Sequence, residues 1–162
     1  MIPTAPAPLR ARALDTIVLG GLVAGVLDLL DAFIVSGAPT RVLHAIASGV
    51  LGRAAYQGGG MAATLGLVLH FVIAFGAATT YFVASRTLPV VLRHAVPAGL
   101  LFGVAVWGFM YFAVLPATFG RPYVMPALPQ LINQLGIHAF GVGLSIAWFA
   151  ARSARRKLAP SR

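Results

Sequence analysis

Asp28 and Asp31 are the residues of this sequence best placed to do chemistry. They stand three positions apart inside an otherwise apolar stretch, Leu14 to Ser36, which also holds Asp15, the remaining acidic residue of the 162. Residues three apart on a helix share a face. Two neighbouring carboxylates in a low-dielectric setting call for a cation, an imidazolium or a shared proton beside them. Imidazole is at hand, because His70 and His138 also fall inside apolar stretches. An ionisable group inside a bilayer is costly and faces a partner or a cavity.

Several chemistries suit these four side chains. Asp–His hydrogen bonds can lock helices together as a structural polar cluster. The same groups are the usual parts of a proton or cation path. Asp28, His70 and His138 match the ligand preferences of a divalent metal such as Zn²⁺, although no HxxxH or HxxE spacing supports it. His70 and His138 could hold a haem in a four-helix bundle, for which the aspartates make a poor pocket. Nothing in the sequence requires a cofactor. An enzyme is not expected: the chain has no GxS elbow, no HExxH and no phosphate-binding loop, and Gly58-Gly59-Gly60 lacks the lysine of a P-loop. With no cysteine, disulfides, thiolate metal sites and thiol catalysis are excluded.

The elements that must position these groups are membrane helices. The chain is 59% hydrophobic and 9% charged, with mean hydropathy +0.90, against about 25% charged residues in a soluble domain. A spanning helix needs ~20 mainly apolar residues. Spans are expected at about 14–36, 61–84, 95–115 and 131–151, within one domain over 14–151. Residues 1–13 form an N-terminal segment and 152–162 a basic tail that anchors the last helix at an anionic leaflet. Ser36-Gly37-Ala38 resembles a cleavage site, but the following Pro39, the length of the apolar stretch and its aspartates favour an uncleaved span. Between residues 40 and 56, Val42, Leu43, Ile46, Val50 and Leu51 recur at helical spacing. That pattern predicts a short amphipathic helix, interfacial or re-entrant. The fold class expected is thus all-α: four transmembrane helices with an outer amphipathic helix.

Charge sets the orientation. Arg10, Arg12, Arg86, Arg93, Arg152, Arg155, Arg156, Lys157 and Arg162 fall on one side, and Arg41, Arg53 and Arg121 on the other. The positive-inside rule makes the first side, with both termini, cytoplasmic, and explains the basic residues better than nucleic-acid binding does. Counting 1.5 Å per residue from the outer end puts Asp28 ~12 Å deep, Asp31 ~8 Å, His70 ~13 Å and His138 ~10 Å. Trp107 and Tyr111 fall at ~12 and ~6 Å by the same count, with Asn133 and Gln134 shallower. Stripes of small residues carry these groups: Gly21, Gly25, Asp28 and Ala32; Ala63, Gly66, His70, Ala74 and Ala77; Gly99, Gly103 and Trp107; Gln134, His138, Gly141, Ser145 and Trp148. Small residues let helices approach closely in lipid. Asp28, Asp31, His70 and His138 are therefore expected to converge, supported by Asn133, Gln134, Tyr111 and Trp107. His44 and His94 are expected at solvent or headgroups.

Gly66 with His70, Tyr81, Pro89, Gly99, Gly103, Pro116, His138, Ser145-Ile146 and Arg155-Arg156 form a pattern over roughly residues 66–156. In these positions the chain resembles small uncharacterised four-helix inner-membrane proteins of bacteria, distantly the YagU-type family. That pattern does not supply the aspartate pair. The resemblance implies a shared bundle in a bacterial inner membrane and no established activity. The expected function is a non-catalytic structural or accessory membrane protein, and the alternative is a small proton- or metal-cation-handling transporter. Its partners are the lipid bilayer and, through its glycine stripes, a second copy or another membrane protein.

Overall fold

The computed structural model describes residues 13–120 and 124–155. The expected N-terminal segment up to residue 12, Arg121, and the tail from residue 156 onward lie outside the described residues. All regular structure within them is helical. The helices are α1 (Leu14–Ser36), α2 (Pro39–Leu51), α3 (Gly59–Thr87), α4 (Pro89–Arg93), α5 (Ala95–Phe119) and α6 (Leu128–Arg155). A 3-10 turn, Gly52–Gln57, joins α2 to α3. By length and composition α1, α3, α5 and α6 can each cross a membrane.

Local chemistry sets the breaks. Gly37 takes the left-handed conformation (φ 62°) that ends α1, and its amide bonds the Phe33 carbonyl at 3.0 Å. Pro39, with no N–H to satisfy, opens α2. Leu88 is extended ahead of Pro89, which stops α3. Three long helices run past their apolar stretches: α3 by two residues at its start and three at its end, α5 to Phe119, and α6 from Leu128 to Arg155. Hydropathy marks the apolar part of a helix, whereas caps and prolines mark its ends. Pro116 does not end α5; it follows a wide π-type turn at Met110–Val114. Similar wide turns wind Leu14–Gly20 and Ile137–Gly143.

Small residues set the packing. Gly20 faces Ile146 and Phe149, and Gly141 faces Leu27, so α1 and α6 run antiparallel. Gly21 lies on Phe75 and Ala78, and Gly25 on Phe71 and Ala74, which seats α3 against α1. Gly99 meets Ala147, and Gly103 abuts the His138 backbone, so α5 lies against α6. The core where the helices meet is Ala24, Ala78, Tyr81, Val142, Ile146, Ala147 and Ala150. Tyr81 also closes α3 onto α5 through Phe102, with ring centroids 5.0 Å apart. The large side chains point outward instead: Met61 is 85% exposed, Ile34 80% and Leu101 70%. A water-soluble domain does not display apolar surface on this scale.

α2 is not a free amphipathic rod. A Cβ at Gly66 would run into the Leu43 carbonyl, so α2 lies directly on α3. Ala47, Ala55 and Ala62 bury one another in a satellite core. A Cβ at Gly49 would touch the Thr118 methyl. The helix thus bridges α3 and α5 across one end of the bundle.

Candidate functional site

A polar seam runs between α1 and α6 near the end that α2 crosses. Their antiparallel register makes it. From Gly20 opposite Ile146 and Leu27 opposite Gly141, the next turn brings Asp28 to His138, and the one after brings Asp31 to Asn133. Asn133 Nδ2 donates to Asp31 Oδ2 at 2.8 Å. Asp28 Oδ1 lies 3.7 Å from His138 Nδ1. That is ion-pair range and too long for a hydrogen bond.

The histidine tautomers follow from their partners. His138 Nδ1 lies 2.9 Å from the Gln134 carbonyl, four residues back on α6. A carbonyl can only accept, so Nδ1 carries the proton and donates it there. Asp28 therefore lies beside the His138 ring without receiving its N–H. His138 sits in the wide turn Ile137–Gly143, a geometry that recurs at functional sites. The side chains of His138 and Asp28 are 17% and 27% exposed, so the pair is not sealed.

His70 belongs to the neighbouring interface. Its Nε2 donates to the Gly25 carbonyl at 2.9 Å, linking α3 to α1 one turn before Asp28. Its ring also meets Phe71 edge-on at 5.4 Å. The four expected cluster residues thus split into an Asp28–His138 pair, an Asp31–Asn133 bond and a His70-to-backbone bond. Among the described residues no group of three or more His, Asp or Glu side chains is arranged to hold a metal ion. The trio Asp28, His70 and His138 is not gathered into one such group, and His70 turns its Nε2 to the Gly25 carbonyl.

The supporting residues form a further link. Trp107 Nε1 donates to Gln134 Oε1 at 3.0 Å, tying α5 to α6. Tyr111 stacks on Trp107 at 5.1 Å. Gln134 therefore uses its side chain toward α5, while its carbonyl fixes His138.

His44 was expected at solvent or headgroups, and the structure also gives it a partner on α3. It is half-buried, with Nε2 donating to the Gly59 carbonyl at 2.8 Å and its ring edge-on to Tyr56 at 6.4 Å. The Gly59 carbonyl is in reach because α2 turns back onto α3. Amphipathic spacing marked α2 without saying what lies beneath it. His94 is exposed, as expected. The role of Asn133 was also underestimated: it is a primary partner of Asp31, and the alternating polar pair Asn133-Gln134 at the start of α6 was the available signal.

Over the described residues, fold and seam together define an all-helical architecture with four membrane-length helices and interhelical polar links gathered toward one end. No family model, no curated protein and no solved structure matches it. The functional reading therefore rests on the geometry.

Proposed function

We propose that this chain is a multi-pass protein of the bacterial inner membrane, with both termini cytoplasmic and α2 on the periplasmic side. It is a non-catalytic structural or accessory protein, and its intramembrane polar groups act as interhelical fasteners. The observation that carries this is the distribution of partners. Asp31 bonds Asn133, His70 bonds the Gly25 carbonyl and Trp107 bonds Gln134, each across a helix pair. A group reserved for transported cargo would not be spent this way. Interhelical bonds in lipid contribute on average about 0.6 kcal/mol and at most about 2, so the links specify register more than they supply bulk stability. The partners are the bilayer and, by the exposed apolar faces, a second copy or another membrane protein.

Cation handling is the second reading, and one observation favours it. Asp28 is a partly exposed carboxylate whose neighbour His138 has committed its Nδ1 proton to Gln134. A proton or a metal cation would find Asp28 available. Purified protein in liposomes separates the readings. Under the structural reading, His70→Ala and Asp31→Ala lower the unfolding midpoint and the wild type carries no proton or cation flux. A folded Asp28→Asn variant that abolishes a measurable wild-type flux would establish the second reading.

A further inference from the structure

The far end of α6, away from α2, carries a feature that the seam does not use. Trp148, Arg152 and Arg155 follow one another at spacings of four and three, so they share one face. The Arg152 guanidinium lies over the Trp148 ring, 5.0 Å from its centroid. Trp148 is 49% exposed, and both arginines are exposed. The opposite face, with Ala150, Ala151 and Ser153, is buried in the bundle. Toward the middle of α6 the same outward ridge continues through Leu144 to exposed Phe140. Beside it, α4 presses Val91 and Leu92 onto the core and leaves Arg93 exposed. Every acidic residue of the chain is on α1, and Asp15 is the one at this end.

We propose that this face binds an anionic phospholipid, its phosphate between Arg152 and Arg155 and an acyl chain along Trp148, Leu144 and Phe140. Guanidinium groups match phosphate oxygens as paired donors. Stacking on Trp148 holds Arg152 in place before the lipid arrives, which lowers the ordering cost. Indole sits naturally at the headgroup level. The apolar ridge selects a lipid over a free phosphate ion, which would use the arginines alone. The inference names a partner and rests on the reading that the long helices cross a membrane.

The test is lipid retention by the full chain in neutral detergent, read by native mass spectrometry. Phosphatidylglycerol is expected to bind over phosphatidylcholine with the same acyl chains. Each of Arg152→Gln and Arg155→Gln should weaken its binding about fivefold, from ~1 kcal/mol per basic residue. Unfolding midpoints without lipid should stay unchanged, since both side chains are exposed. Trp148→Ala should weaken retention too, and inorganic phosphate should not displace the lipid. Equal retention of the two lipids, displacement by phosphate, or an unaffected double arginine variant would overturn the proposal. The chain has no cysteine, so a single Arg155→Cys variant labelled from each side of intact cells tests the membrane topology separately. A wrong orientation would show there while lipid retention in detergent stayed intact.

Discussion

Asn133 donates a 2.8 Å hydrogen bond to Asp31 across a sequence separation of 102 residues. The bond fixes where the start of α6 meets the end of α1. Asn133→Ala is expected to cost about 1–2 kcal/mol by unfolding in mixed micelles. A double-mutant cycle with Asp31→Ala should return a coupling energy of about 0.6 kcal/mol or more. Strict additivity would mean that the two side chains do not cooperate.

Glycine substitutions should sort by what stands opposite them. A Cβ at Gly103 meets the His138 carbonyl, and one at Gly66 meets the Leu43 carbonyl, both backbone atoms that cannot swing aside. A Cβ at Gly76 meets nothing within 4 Å. Gly103→Ala and Gly66→Ala should each lower stability by about 1–3 kcal/mol. Gly76→Ala should be neutral or slightly stabilising, because alanine favours the helix. Equal effects at the three sites, read as melting midpoints, would contradict the packing described.

Depth counting found the level of the seam but not its azimuth. The apolar lengths and the basic flanks made four membrane-length helices legible. Asp28 and His138 were legible as neighbours, because level and small-residue face agreed. His70 lies at the same level, yet its ring turns to the Gly25 carbonyl, an acceptor that every residue possesses and no sequence pattern advertises. The contact of Leu43 with Gly66 was hidden for the same reason: backbone meets backbone where glycine permits it. The bond of His44 to Gly59 was hidden likewise, because its partner is also a carbonyl.

Tyr81 separates ring packing from hydrogen bonding. Its side chain is 2% exposed, it stacks edge-on with Phe102, and its hydroxyl has no protein partner among the described residues. Tyr81→Phe should therefore leave stability unchanged or raise it, since a buried unpaired hydroxyl costs about 1–3 kcal/mol. Tyr81→Ala should cost about 3–5 kcal/mol by analogy with other aromatic truncations. A large loss in the phenylalanine variant would reveal a partner for the hydroxyl.

The α1–α6 register can be tested covalently. A Cβ built on Gly20 lies 3.5 Å from the Phe149 Cβ, inside the ~3.5–4.5 Å separation that a disulfide needs. The natural chain has no cysteine to compete. The Gly20→Cys/Phe149→Cys variant should form an intramolecular disulfide on mild oxidation, seen as a reversible gel shift after cleavage in the loop between α5 and α6. Gly20→Cys paired with Phe140→Cys should not, because Phe140 lies more than two helical turns further along α6 and faces outward. The same register that joins Gly20 to Phe149 carries Asp28 to His138 and Asp31 to Asn133. Efficient cross-linking of the control pair, or none in the first, would dissolve the seam along with the helix pairing that builds it.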